Sequence, residues 1–169
     1  VLKLFEKHGL AYSDLNLVFL PAADARAAFE NGAVDAWVIW DPLLAAAQKA
    51  LDARILADAS DVVSNRAYYF SSLDYAASNA DVLAITLEEI NNIDQWATTN
   101  GGALAAELAT LWGLSLPVAE LAEARNSYGT GPITRAILAE QQQIADSFFA
   151  LKLIPRKINV LDAVAGEVR

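Results

Sequence analysis

The stretch from Pro21 to Pro42 constrains the fold of this chain more than any other part of it. Just before it, the apolar run Leu15-Asn16-Leu17-Val18-Phe19-Leu20 is stopped by Pro21, as a buried strand would be. Residues Ala22 to Asn31 read as a helix, with Asp24 in the first turn where the macrodipole favours an acid. Gly32 closes that helix, and Ala33 to Trp40 form a second buried strand. Neither run alternates with polar residues, which is the pattern of parallel strands covered on both faces. Asp41-Pro42 then opens a helix, Asp as N-cap and Pro at the first position. The whole reads as a β-α-β unit whose strand ends open toward a cleft.

The next helix runs through Leu43 to Leu51, and Arg54-Ile55-Leu56-Ala57 is a third short strand. The polar stretch Asp58 to Arg66 breaks the pattern and leads into the aromatic strand Ala67 to Ser72, so a lobe boundary falls here. From Leu73 onward the chain reads as almost wholly helical. A long helix is expected from about Ala80 to Thr99, with Val82, Ile85, Ile90, Ile93 and Trp96 on or near one face, ended by Asn100-Gly101-Gly102. Others follow near Ala103 to Trp112, from Pro117 through Arg125, and from a Thr134 cap through Ala150. Residues 151–169 form a tail with little regular pattern. No internal repeat is present.

Composition narrows the chemistry. The 169 residues contain no Cys, which removes thiol catalysis, zinc–thiolate sites and disulfides together. One His, beside the helix-ending Gly9, and no Gly-x-Ser-x-Gly or metal-spaced cluster leave enzyme chemistry little to rest on. A net charge of −9 argues against nucleic acid, and it requires any anion to be bound by locally placed donors. No apolar run approaches the roughly 20 residues that span a bilayer. The chain has no Met and begins inside a helical pattern, so it is expected to have been cut from something longer.

Several segments together resemble the aliphatic-sulfonate (SsuA-like) periplasmic binding proteins of ABC importers. They include Pro21-Ala22-Ala23-Asp24-Ala25-Arg26-Ala27-Ala28-Phe29, Val34-Asp35-Ala36-Trp37 and Ile39-Trp40-Asp41-Pro42. Ala53 to Asp58, Val63 to Arg66, Ser127-Tyr128-Gly129 with Pro132-Ile133, Gln141-Gln142 with Ile144-Ala145-Asp146, and Leu151 to Pro155 continue the match in order. The resemblance implies an α/β, partial type II periplasmic-binding-protein fold, comprising most of lobe two and the returning helical segment of lobe one. Residues 1–62 would belong to lobe two and 63–169 to lobe one. The Gly-Ser-Ser-His type loop that such proteins place at the first helix of lobe two would lie upstream of Val1. The chain alone is therefore expected to bind alkanesulfonates poorly.

Five residues are candidates for ligand contact: Trp40, Asp41, Asn65, Arg66 and Tyr128. Trp40 stands where a strand ends and could wall an alkyl chain, unless it is core. A carboxylate against a sulfonate would repel it, so Asp41 orients a donor or bridges the lobes, or is merely an N-cap. Arg66 offers a planar donor fork and Asn65 an amide, unless both belong to a solvated hinge loop. Tyr128-Gly129 could place a hydroxyl or a backbone N–H near an anion, although a packed Tyr at a Gly turn is the favoured explanation of the pair. Pro21-Ala22-Ala23 would let backbone N–H groups approach a ligand, and Trp37, Trp96 and Trp112 read as core.

These expectations describe a solute receptor without catalytic residues, cofactor or metal. It would close two lobes over a small organosulfonate about a hinge near Ser60 to Arg66 and pass it to a permease. It would act in the periplasm or be anchored outside the cytoplasmic membrane, and the uncovered apolar faces could pair two copies. The alternative is an enzyme on the same bilobal scaffold, in thiamine-pyrimidine or sulfur metabolism, with its catalytic residue upstream. A purely structural helical module is the third reading.

Overall fold

The computed structural model describes residues 1–164. Eight α-helices follow in chain order: α1 (Leu2–Lys7), α2 (Ala22–Glu30), α3 (Leu43–Leu51), α4 (Leu73–Ser78), α5 (Ala80–Thr99), α6 (Gly101–Trp112), α7 (Leu116–Glu123) and α8 (Arg135–Ala150). Their ends obey local chemistry. The Thr134 hydroxyl accepts from the Ile137 N–H at the start of α8, and Ser72 does the same for Tyr75 at the start of α4. Gly113, at φ 65, closes α6 in the left-handed conformation that a residue without a Cβ adopts freely. Asn100 separates α5 from α6, and Gly101-Gly102, expected to end α5, instead open α6.

The chain packs as two units. The first comprises residues 1–69 and 99–127; the second comprises residues 70–98 and the described residues from 128 onward. In the first, α6 and α7 form a helical hairpin and α7 also lies against α3. The contacts are made by small side chains. Ala45, Ala46, Val118 and Ala122 form one buried cluster, and Ala105, Ala109 and Ala119 a second. Trp112 packs on both clusters and so joins them. Alanine faces let helix backbones approach closely, and one indole fills the remaining space. Trp37 lies against Phe29 of α2, the rings tilted by 37° with centroids 6.1 Å apart. Trp96 departs from the core expected for it: it is 44% exposed.

In the second unit, Ala97 of α5 and Leu138 of α8 are buried. The segment after α8 is held to it by Gln142. Its amide nitrogen donates to the Ile158 carbonyl at 2.9 Å and its oxygen accepts the Val160 N–H at 2.9 Å. One side chain thus serves both polar groups of a passing backbone, as a neighbouring strand would.

The four expected strands differ from the structure. Leu15 to Leu20, Ala33 to Trp40, Arg54 to Ala57 and Ala67 to Ser72 form no strand ladder among the described residues. The segments are apolar, but a strand exists only through a neighbour that takes its N–H and C=O groups. Here the apolar side chains of these segments remain largely uncovered. Phe19 is 80% exposed, Val38 73% and Phe70 87%.

Candidate functional site

The corner Trp40-Asp41-Pro42 precedes α3 and leaves the Trp40 indole 69% exposed. Asp41 points inward. Its Oδ1 accepts the Ala45 N–H at 3.0 Å and so caps α3, although the helix itself begins at Leu43, one residue later than the Asp-Pro pattern implies. The same carboxylate is met by Arg125, just past the C-terminus of α7. Arg125 Nη1 is 3.1 Å from Oδ1 and 3.1 Å from Oδ2. Arg125 Nη2 donates to Gln48 Oε1 of α3.

The pair is shielded more on the acid side: the Arg125 and Asp41 side chains are 29% and 18% exposed. Three acceptors hold the guanidinium plane, so its direction is fixed before any ligand arrives. Chemically, the corner sets an exposed aromatic face beside a carboxylate that already accepts from Arg125 and from the Ala45 N–H. That carboxylate orients a cation.

Asn65 and Arg66 lie in the same unit and are exposed, with the Asn65 backbone in the left-handed region at φ 48. Tyr128 belongs to the other unit, half-buried at the start of the turn that leads to α8. In that turn Asp94 of α5 accepts from the Gly129 N–H at 3.2 Å and from the Thr130 hydroxyl at 2.8 Å. The Gly129 donor, proposed from sequence for an external anion, is engaged by an internal one. His8 is the C-cap of α1. Among the described residues, no group of His, Asp or Glu is placed to hold a metal ion, and no helix is long and apolar enough to cross a membrane.

Sequence reasoning missed Arg125, Gln48 and Asp94. Arg125 registered only as a helix end, because its partner Asp41 lies 84 residues away.

No family model matches the chain. It is 33% identical over 161 residues to an aliphatic sulfonates-binding protein of Escherichia coli (strain K12), covering 95% of this chain and 50% of that protein. It is 28% identical over 153 residues to the protein of that description from Bacillus subtilis (strain 168), covering 89% of this chain and 46% of that one. The chain therefore spans about half the length of the curated relatives it matches. The crystal structure of the periplasmic aliphatic sulphonate binding protein SsuA from Escherichia coli superimposes with a TM-score of 0.87 at 32% identity, covering 96% of this chain and 56% of that one. The alkanesulfonate-binding protein SsuA from Xanthomonas axonopodis pv. citri, bound to MOPS, gives a TM-score of 0.88 at 32% identity, covering 97% and 57%. Each of these proteins is described as a binding protein, not as an enzyme. The chain is a relative of the SsuA-type aliphatic-sulfonate-binding proteins and carries part of their type II periplasmic-binding-protein fold.

Proposed function

We propose that this chain is part of the solute-binding component of an ABC importer, capturing a small organosulfonate and delivering it to the permease. The observation that supports it best is the corner at Trp40, where an exposed indole stands beside an Asp41 carboxylate already committed to Arg125. An alkanesulfonate has an apolar tail for the indole and oxygens for donors such as Arg66 and Asn65. In this reading two lobes close over the anion about a hinge near Ser60 to Arg66. The protein works in the periplasm, free or anchored to the membrane, and its uncovered apolar segments pair two copies when nothing else covers them.

Calorimetric titration of MOPS and ethanesulfonate into the 169-residue chain and into the intact product of its gene tests this. Weak binding by the first and tight binding by the second are expected, with Trp40→Ala abolishing the latter while stability changes by no more than about 0.5 kcal/mol. An intact product that ignores every alkanesulfonate sinks the reading.

A further inference from the structure

Asparagine followed by glycine occurs twice in this chain, at Asn31-Gly32 and at Asn100-Gly101. The pair carries a latent reaction, because a glycine nitrogen with no Cβ beside it can reach the carbon of the preceding side-chain amide. The fold treats the two pairs differently. Asn31 is the C-cap of α2, is exposed, and donates from its Nδ2 to no described residue. Asn100 is half-buried where α5 gives way to α6. Its Nδ2 donates to Thr99 Oγ1 at 3.0 Å, and its carbonyl accepts the Leu104 N–H at 3.0 Å in the first turn of α6.

At Asn31 the reacting groups share one small loop. Asn31 Oδ1 accepts the Ala33 N–H at 3.0 Å, and the ring closed by that bond contains the Gly32 nitrogen. Gly32 lies at φ 74, and a Cβ there would meet nothing within 4 Å, so no neighbour covers the peptide. What withholds the nitrogen is the last turn of α2. With Asn31 at ψ 3, the Gly32 N–H donates back to the Phe29 carbonyl at 3.2 Å. The Asn31 N–H meets the Ala27 carbonyl at 3.1 Å and the Ala33 N–H meets that of Ala28 at 2.8 Å. These are the closing bonds of a nine-residue helix, and helix ends open at far less cost than the whole fold.

We propose that Asn31-Gly32 is a site of spontaneous modification, its amide converting to aspartate and isoaspartate through a succinimide formed when the last turn of α2 opens. The Gly32 nitrogen bonds to Asn31 Cγ, the Cγ–Nδ2 bond breaks, and Nδ2 leaves as ammonia with the former Gly32 amide proton. Water then opens the ring. Cleavage between the ring nitrogen and Cγ gives aspartate, and cleavage between that nitrogen and the Asn31 main-chain carbonyl carbon gives isoaspartate. Either product adds a negative charge at the end of α2, where the macrodipole is already negative and Glu30 is already paired with Arg26 at 2.7 Å. Isoaspartate also lengthens the main chain by one methylene. That draws the Ala33 N–H away from Ala28 and loosens the path to Trp37, which lies against Phe29.

The experiment incubates the 169-residue chain at neutral pH and maps its peptides by mass spectrometry, with an isoaspartyl methyltransferase marking isoaspartate. The acid-for-amide mass gain should accumulate at Asn31 roughly tenfold or more faster than at Asn100. In concentrated urea, which removes both helix ends, the two rates should converge. Ala27→Gly, at an exposed position of α2, should raise the Asn31 rate about fivefold by weakening the helix without disturbing packing. Equal rates at Asn31 and Asn100 in the folded chain overturn the proposal, as does a difference that survives urea. An Asn31 rate that Ala27→Gly leaves unchanged overturns it too, because the opening of α2 would then not control the reaction.

Discussion

Arg125 Nη1 stands 3.1 Å from both carboxylate oxygens of Asp41, so a single guanidinium nitrogen closes a contact between residues 84 apart. With the bond from Nη2 to Gln48, it fastens the end of α7 to α3 at two places. Arg125→Ala leaves a mostly shielded carboxylate with only a backbone N–H to satisfy it. The expected loss is about 1–2 kcal/mol, reduced from that of a fully buried pair because both side chains retain some solvent. Arg125→Lys should recover part of it, since a point charge cannot reach Asp41 and Gln48 together. Urea unfolding of these variants, with an Asp41→Ala cycle, measures the coupling; strictly additive losses would show the contact to be idle.

Ala119 is fully buried against Ala105, Ala109 and Trp112. The helices meet there through a methyl group, so a longer side chain has to displace them. Ala119→Leu should destabilise the chain by about 1–3 kcal/mol through displaced helices, and Ala119→Gly by about 1 kcal/mol through helix propensity. Thermal unfolding of both variants tests whether enlargement outweighs deletion.

Gly129 and Gly131 form a matched pair. A Cβ at either meets nothing within 4 Å, so sterics with neighbours do not distinguish them. The backbone does, because Gly129 alone of the two has a positive φ, 138. Gly129→Ala should cost about 1–3 kcal/mol in strain, whereas Gly131→Ala should be near neutral or slightly stabilising through the unfolded chain. Equal effects in denaturant titrations would contradict the assignment of strain to Gly129.

Gln142 supplies both a donor and an acceptor to the backbone at Ile158 and Val160, and it also donates to Asp146 Oδ1 at 3.0 Å. Gln142→Glu removes the donor and sets a second carboxylate beside Asp146. Amide protection at Val160 should fall by roughly tenfold while α8 stays protected. Hydrogen exchange read residue by residue shows whether the segment is released alone.

Much of this architecture was legible because it is local. The span of α5 from Ala80 to Thr99, the Thr134 cap of α8 and the Gly113 stop of α6 depend on residues within a turn of one another. The strands were the opposite case. Val38-Ile39-Trp40 has the composition of a covered strand, but composition states a need for partners and cannot provide them. The site divides in the same way. Trp40 and Asp41 stood out as a strand-to-helix corner, whereas Arg125 and Asp94 acquire their roles from residues 84 and 35 positions away, where periodicity carries no information.

The uncovered Phe19, Val38 and Phe70 also make this chain a colloid held apart by its own charge. With −9 at neutral pH, copies repel one another before those side chains can touch. That repulsion reaches only about 10 Å in 0.1 M salt and about 3 Å in 1 M. It vanishes near the isoelectric point of about 4.4. Added salt or acid should therefore drive self-association with the fold unchanged, and a dispersed solution should return when the pH is raised.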